Sequence, residues 1–368
     1  MVCARNPFVT SRRGNAGTST YVPFFFAVVF CLNSLSNASE VRNTHVAVAS
    51  ASTARYVTID APGSGHYTYM GTTPVAINSN GEIAGVFVDA SYATHSFLRS
   101  PGGVLKLIDL PGQGTFVQGM NSSATVVGYV ADQNGTHGFV RLLNGTHAIF
   151  DVPGSILTSA NGINDTGTIT GFSITPDGVY HGFVRASDGA ITTFDAPGNP
   201  RRTSPSKINA TGTVVGYYID ANSGNHGFVR SKNGKFITLD GPNSSSTVAD
   251  DINVNGIVVG SIAQPGGGHS FLRGTNGKYT IFDPPGTDYR GSTPASINDS
   301  GAIVGYFYDS NGGAVLHGYL RNPDGTLVVL DDPSATSLGT LATGINSHGV
   351  VIGFYFDAFT AMHGFLRK

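Results

Sequence analysis

A five-residue motif that recurs seven times constrains the fold of this chain more than any other feature. The motif is His-(Gly/Ser)-(Phe/Tyr)-(Leu/Val)-Arg, and successive copies start 42 to 48 residues apart. Repeats of this period are typical of folds in which each repeat is one small unit that buries its apolar surface against its neighbours. The first and last residues of the copies are His95 and Arg99, His137 and Arg141, His181 and Arg185, His226 and Arg230, His269 and Arg273, His317 and Arg321, and His363 and Arg367.

Two further motifs accompany the first. An Ile-Asn or Met-Asn pair precedes a turn in every repeat, and an apolar run ends in Asp, usually before x-Pro-Gly. Each of the first six motif arginines is followed ten residues later by such an Asp, and a constant count of this kind predicts a hairpin of fixed register. The asparagines are Asn78, Asn121, Asn164, Asn209, Asn253, Asn298 and Asn346, and the aspartates are Asp60, Asp109, Asp151, Asp195, Asp240, Asp283 and Asp331.

One repeat reads as four short strands. In residues 160–196 the pattern predicts strands at 160–164, 168–174, 180–185 and 190–195. Asn164-Asp-Thr-Gly167 and Ser187-Asp-Gly189 are turn sequences that close hairpins, because glycine accepts the positive φ that such turns require. Four antiparallel strands in about 45 residues are the size of one β-propeller blade.

The repeats begin and end out of phase. Residues 56–63 form a fourth strand that lacks the first three, and residues 363–367 form a third strand that lacks its fourth. If the two ends pair, no sheet edge is left open. Asp60 then has the same position relative to Arg367 that Asp109 has relative to Arg99. We therefore predict an all-β fold, a single seven-bladed β-propeller over residues 56–368. An open solenoid is the alternative, and it leaves the offset unexplained.

Composition agrees with this class and excludes some partners. Charged residues are 12% of the chain, and 50 of the 368 residues are Gly, which favours short strands joined by glycine turns. The formal charge of -2 gives no electrostatic footprint for a phosphate backbone or an anionic membrane. We expect no nucleic-acid partner, and we expect a monomer.

The first 38 residues differ from the rest. Arg5, Arg12 and Arg13 precede an apolar run at 21–32, and small residues follow it up to Ala38. This order predicts a secretory signal peptide at 1–38, with an uncleaved N-terminal anchor as the alternative. Residues 39–55 read as a flexible leader. After cleavage, the protein has no membrane span and neither cysteine, and we expect it to be secreted, extracellular or periplasmic.

The motifs also carry a family resemblance. The stretches HGFVR, GINDTGTITG and FDAPG resemble the HAF family of bacterial extracellular repeat proteins, and the resemblance extends from Tyr56 to Arg367. It implies an exported repeat protein. The family has no settled activity, so the resemblance implies no catalytic residues.

The repeated His, Arg and Asp side chains invite a chemical interpretation, but we predict that they are structural. His, Phe and Arg at alternate positions share one strand face, and a residue needed once for catalysis has no reason to occur seven times. The turns at 132–135 and 309–312 lack the third carboxylate and the distal Glu of a calcium loop. No nucleophile or phosphate-loop motif occurs. We therefore predict no cofactor, metal or catalytic residue.

A function should lie where the repeats differ. The loops between second and third strands, and the crossings between repeats, vary in length and content and should share one face. The chain has no Trp but 15 Tyr, which could replace Trp in a sugar site. Our candidate ligand-binding residues are His66, Tyr67, Tyr69, Arg201, Arg202, Asp250, Tyr289 and Arg290.

Three functions are open at this stage. The first is a noncatalytic exported module that binds a glycan or a surface protein through the variable face. The second is a hydrolase or lyase whose single site is built from His66 and the pair Asp250-Asp251. The third is a structural protein of the envelope or matrix.

Overall fold

Short β-strands make up the described part of the chain, and no helix occurs in it. The computed structural model describes residues 54–112, 114–198, 200–309, 315–336 and 338–368. The predicted signal peptide, and the predicted leader as far as Thr53, lie outside these residues. The all-β class predicted from the sequence is therefore confirmed.

The described residues hold 28 strands in an 8-stranded, a 16-stranded and a 4-stranded sheet. The antiparallel pairings within these sheets divide the strands into seven groups of four, and single parallel pairs join some neighbouring groups. Strand β1 (Tyr56–Ile59) precedes the first group, which is β2 (Gly71–Ile77), β3 (Ile83–Val88), β4 (Thr94–Arg99) and β5 (Leu105–Leu107). The second is β6 (Gly114–Met120), β7 (Val126–Asp132), β8 (Gly135–Arg141) and β9 (His147–Phe150). The third is β10 (Leu157–Ile163), β11 (Ile169–Ile174), β12 (Tyr180–Arg185) and β13 (Ile191–Phe194).

The later groups repeat this order. The fourth is β14 (Arg202–Ile208), β15 (Val214–Ile219), β16 (Asn225–Arg230) and β17 (Phe236–Leu239). The fifth is β18 (Ser246–Ile252), β19 (Val258–Gln264), β20 (Gly267–Arg273) and β21 (Tyr279–Phe282). The sixth is β22 (Thr287–Ile297), β23 (Ile303–Asp309), β24 (Leu316–Arg321) and β25 (Leu327–Leu330). The seventh is β26 (Thr340–Ile345), β27 (Val351–Phe356), β28 (Met362–Arg367) and β1.

The seventh group takes its fourth strand from the other end of the repeat region. Tyr56 pairs with Arg367 in the antiparallel ladder of β1 and β28, just as Leu105 pairs with Arg99 in β4 and β5. Asp60 follows Tyr56 by four residues, and Asp109 follows Leu105 by four residues. The two aspartates therefore stand at equivalent positions.

The first strands of the groups contact one another in sequence order, and β26 contacts β2. A second series of contacts follows the same order through the repeated asparagines. Each donates a hydrogen bond from Nδ2 to a backbone carbonyl in the turn of the next group, at 3.0 to 3.2 Å. The series returns to its start, because Asn346 donates to the carbonyl of Asn78. The motif asparagine therefore joins neighbouring groups, besides forming its own turn.

The aromatic residue of the five-residue motif is the centre of each group's core. It is fully buried in all seven groups, as Phe97, Phe139, Phe183, Phe228, Phe271, Tyr319 and Phe365. A glycine of the second strand makes room for it. At Gly171 a Cβ atom would lie 2.0 Å from the carbonyl oxygen of Ser159 and 3.0 Å from the ring of Phe183. Close packing of this ring thus explains a glycine inside a strand, where it would otherwise be unfavourable.

Candidate functional site

The repeated histidines and aspartates bind each other. In every group the Nδ1 atom of the motif His lies 2.5 to 3.0 Å from the motif Asp, and the seventh pair is His363 with Asp60. In five groups Nε2 also lies 3.3 to 3.6 Å from an aspartate at the loop between second and third strands. Burial alone would lower the pKa of His95, but the contacts with Asp109 and Asp89 raise it above its ordinary value. Each pair ties the third strand to the end of the fourth.

Three of the repeated arginines pack on aromatic rings of the preceding group, and a fourth, Arg273, lies 5.8 Å from the ring centre of Tyr279 in its own group. The guanidinium carbon lies 4.8 Å from the ring centre of Phe150 for Arg185, 4.4 Å from Phe194 for Arg230, and 4.9 Å from Phe282 for Arg321. These contacts are cation–π interactions that cross from one group to the next. The repeated polar residues thus hold the fold together, and a ligand site has to be sought among residues that differ between groups.

The structure separates the eight residues that the sequence proposed for this site. His66, Tyr67 and Tyr69 lie in the crossing from β1 to β2, Arg201 and Arg202 lie at the start of β14, and Tyr289 and Arg290 lie near the start of β22. These positions belong to three different groups. Asp250 lies elsewhere.

Asp250 does not lie in a loop, and the sequence-based placement was wrong. It is inside β18, at a β-bulge between Ala249 and Asp251. The residue keeps some exposed surface, but its carboxyl group is desolvated, and this burial, with the nearby charge of Asp251, raises its pKa to about 8. The Asp-Asp pair resembled a polar crossing in the sequence because a bulge interrupts the apolar alternation of a strand.

Arg202 and Arg290 are largely engaged within the protein. The guanidinium of Arg202 lies 4.0 Å from the ring centre of Tyr180 and 5.6 Å from that of Tyr217. Arg290 forms an ion pair with Asp288 and stacks on Tyr308 at 4.6 Å. The residues that precede them in the sequence, Arg201 and Tyr289, are exposed. Both arginines therefore fix their crossings in place.

Four exposed aromatic side chains lie on three segments that contact one another, and two of the four are predicted residues. We call this set the aromatic patch, and it consists of Tyr67, Tyr69, Tyr92 and Phe359, which are 69%, 49%, 65% and 74% exposed. Soluble proteins rarely expose aromatic side chains together unless the surface binds something.

Backbone contacts bring the four residues of the aromatic patch together. The crossing that carries Tyr67 and Tyr69 lies between the β3–β4 loop with Tyr92 and the β27–β28 loop with Phe359. On one side, the N–H of Gly65 donates to the carbonyl of Val88 at 2.9 Å. On the other side, the N–H of Tyr69 donates to the carbonyl of Thr360 at 3.0 Å. The patch thus spans the junction between the seventh and first groups.

The backbone of the aromatic patch is strained. Six described residues other than Gly have positive φ, and three of them, Tyr69, Tyr92 and Thr360, belong to these three segments. The left-handed conformation costs a residue with a side chain about 1 kcal/mol. At Tyr92 and Thr360 it belongs to the loop type, because Ser223 of the fourth group has it at the same place of its loop. The φ angles of Tyr69 and Tyr92 are 60° and 64°.

Sequence reasoning missed Tyr92 and Phe359. Both lie in five-residue loops of one type, Asp89–Ala93 and Asp357–Ala361, which also occurs without an aromatic residue at Asp220–Gly224. The sequence offered one indication of them, which is that loops of this type carry an aromatic residue in both the first and the seventh group. These groups are neighbours only if the ends of the repeat region pair.

The structure does not bring the residues of the predicted hydrolase or lyase site together. His66 is exposed in the crossing beside the β3–β4 and β27–β28 loops. Asp251 instead accepts hydrogen bonds from the N–H groups of Ile252 and Ile297, between the fifth and sixth groups. The two sets of residues have different neighbours, so no shared acid–base pair results.

The described residues contain no group of three or more His, Cys, Asp or Glu side chains that could hold a metal ion. No helix among them is long and apolar enough to cross a membrane.

Comparison with known proteins defines the class of fold. A streptogramin B lyase has a TM-score of 0.56 and 14% sequence identity, covering 84% of this chain and 97% of the other. The virginiamycin B lyase of Staphylococcus aureus gives 0.53 and 13%, covering 86% and 99%. A puromycin hydrolase gives 0.54 and 14%, covering 77% of this chain and 50% of its own. No protein-family model and no curated protein matches the sequence.

These similarities establish the fold as a β-propeller. At identities this low they carry no activity over to this chain.

Proposed function

We propose that the seven groups form a closed seven-bladed propeller, a member of the HAF-type repeat proteins that is exported through its N-terminal signal. The pairing of β1 with β28 and the asparagine series that returns from Asn346 to Asn78 support closure. Export and family membership rest on the sequence of residues 1–38 and on the three repeated motifs.

We propose that this propeller is a noncatalytic module that binds a carbohydrate through the aromatic patch. The observation that carries the proposal is the exposure of four aromatic rings on three segments that meet at one junction. The C–H face of a sugar ring is apolar and packs on aromatic side chains, while its hydroxyl groups stay in water. Tyrosine suits this role, because its ring offers apolar area and its hydroxyl offers a hydrogen bond at low entropic cost.

A binding screen tests the proposal. The full chain is applied at increasing concentration to immobilised neutral polysaccharides and oligosaccharides. The same screen is repeated with the variant Tyr67→Ala/Phe359→Ala. We expect a saturable ligand that is recovered unchanged. The affinity of the variant should be about 5- to 150-fold lower, since two exposed aromatic contacts at about 0.5–1.5 kcal/mol each would be lost.

The matched control is Tyr289→Ala, which removes a tyrosine of 67% exposure from another crossing. Equal affinity for the double variant and the unmodified protein would reject the aromatic patch as the site. Chemical conversion of the bound sugar would favour the lyase or hydrolase alternative. Binding of a surface protein in the absence of any sugar ligand would replace the carbohydrate proposal with the protein one, and absence of any ligand would leave the structural role.

A further inference from the structure

Apart from histidine, the charged side chains of the segments that carry the aromatic patch are all acidic. Asp89 begins the loop of Tyr92, Asp357 begins the loop of Phe359, and Asp60 begins the crossing of Tyr67 and Tyr69. The three segments, residues 60–70, 89–93 and 357–361, contain no Lys or Arg. The basic groups at these segments are imidazoles. His66 lies within the crossing, His95 contacts Asp89, and His363 contacts Asp60 and Asp357.

Asp89 and Asp357 hold their charge at neutral pH. Burial opposes ionisation of Asp89, but hydrogen bonds from Ser91 and Ala93 lower the pKa of its carboxyl group below the ordinary value. Burial likewise opposes ionisation of Asp357, and hydrogen bonds from Ala361 and Phe359 lower its pKa in the same way. The contacts are short, 2.8 Å from the N–H of Phe359 to Oδ1 of Asp357 and 2.9 Å from the N–H of Ala93 to Oδ1 of Asp89.

The patch therefore combines aromatic rings with carboxylates. The face of a tyrosine or phenylalanine ring attracts cations, and a neighbouring carboxylate adds a direct attraction of the same sign. An anionic sugar, such as a uronate or a sulfated unit, would be repelled by both. A neutral sugar would gain the stacking contacts alone.

We infer that the carbohydrate taken by the aromatic patch is a polymer of amino sugars with free amines. This inference rests on the proposed carbohydrate-binding function and names its substrate class. Sugar rings stack on Tyr67, Tyr69, Tyr92 and Phe359, and the ammonium groups lie toward Asp89 and Asp357. The affinity falls with added salt, because opposite charges at a surface are screened.

Replacing the two aspartates with asparagine isolates the charge. Asn retains the side-chain oxygen that accepts the loop N–H groups, so Asp89→Asn/Asp357→Asn removes charge and keeps the turn acceptor. The matched control is Asp220→Asn. Oδ1 of Asp220 accepts from the N–H groups of Asn222 and Gly224 in a loop of the same length that bears no aromatic residue.

The experiment compares glucosamine oligomers with fully N-acetylated oligomers of equal length, at two salt concentrations, by calorimetry on the full chain. We expect the glucosamine form to bind about three- to tenfold more tightly, as two exposed charge contacts allow. The Asp89→Asn/Asp357→Asn variant should bind both forms equally, and the Asp220→Asn variant should retain the preference. Urea unfolding verifies that each variant is folded.

Three results would overturn this inference while the carbohydrate function stands. The first is equal affinity of the unmodified protein for both oligomers, and the second is a glucosamine preference that survives in the double variant. The third is a preference for a uronate oligomer. If neither oligomer nor any neutral sugar binds, or if polylysine alone binds, the carbohydrate function itself fails and the inference fails with it.

Discussion

Asn346 donates a hydrogen bond from its side-chain nitrogen to the backbone carbonyl of Asn78, 3.0 Å away and 268 residues distant in sequence. Its side-chain oxygen accepts from the N–H groups of His348 and Val350 in its own turn. Asn209 makes equivalent contacts with the carbonyl of Asn253 and with its own turn. A contact that joins the two ends of the repeat region thus has the same form as one between consecutive groups.

We predict that Asn346→Ala and Asn209→Ala destabilise the protein equally, by about 1–3 kcal/mol, because each leaves a buried carbonyl and turn N–H groups without their partner. The free energy of unfolding in urea measures this loss. Asn144→Ala, in an exposed turn, is the control and should cost well under about 1 kcal/mol. A negligible effect at Asn346 beside a large one at Asn209 would contradict closure between the seventh and first groups.

The fold could be predicted from the sequence because its determinants are periodic. In the third group the predicted strands at 160–164, 168–174, 180–185 and 190–195 correspond to β10 to β13, with boundaries that differ by at most three residues. The constant spacing from the motif Arg to the motif Asp fixes the register of each last hairpin, and Arg185 pairs with Ile191 accordingly.

The candidate site was less predictable, because it depends on contacts between segments far apart in sequence. Tyr67 could be selected from an irregular crossing, but Phe359 joins it only because the two ends of the repeat region pair with each other. Asp250 was misplaced for a local reason, since a strand that carries a bulge and a buried carboxyl group has the composition of a loop. The sequence predicted that the motif Asn precedes a turn, but nothing in it indicated that the same side chain bonds to the next group.

The Asp250→Asn variant should be more stable than the unmodified protein at alkaline pH. The bulge residues at the equivalent positions, Asn161 and Thr343, donate hydrogen bonds to the carbonyls of Pro205 and Pro74 at 2.8 Å. An aspartate can donate in this way only when it is protonated, whereas Asn always can.

The direction of this change in stability with pH follows from the raised pKa of Asp250. The unfolded carboxyl ionises near pH 4, whereas the folded one holds its proton up to about pH 8, so the unmodified protein loses stability over this interval. We expect Asp250→Asn to gain more than about 1 kcal/mol at pH 8 and little below pH 4. Urea unfolding at the two pH values measures the gain. An equal change at both pH values would point to packing and contradict the charge argument.

The stability of the whole protein should be greatest in mildly acidic solution. The pKa values of His95, His137, His269 and His317 are raised, so their contribution is complete below about pH 6.5 and is lost as the pH rises through the folded pKa. Asp89 and Asp357 have lowered pKa values, so their contribution is present above about pH 4 and is lost in stronger acid. Urea midpoints measured across the pH range should therefore peak at about pH 5. A midpoint that rises steadily from pH 6 to pH 8 would refute this account.

The stacked Arg202 should matter for stability more than for binding. We predict that Arg202→Ala lowers the free energy of unfolding by about 1–2 kcal/mol, because two cation–π contacts and buried side-chain area are lost. Arg201→Ala, which removes an exposed neighbour, should change it by less than about 0.5 kcal/mol. Thermal or urea unfolding distinguishes the two residues. Equal effects would show that the rings of Tyr180 and Tyr217 do not hold Arg202.

Tyr92 and Ser223 occupy the same place in two five-residue loops, with φ angles of 64° and 69°. Glycine accepts this conformation without steric cost, so Tyr92→Gly and Ser223→Gly should each stabilise the protein by up to about 1 kcal/mol. Only Tyr92→Gly removes a ring of the aromatic patch, and we expect it alone to weaken carbohydrate binding, by about two- to tenfold. Paired measurements of unfolding and of binding test this separation. If both variants bind as the unmodified protein does, Tyr92 has no part in binding. If both lose affinity, the ligand also contacts the fourth group.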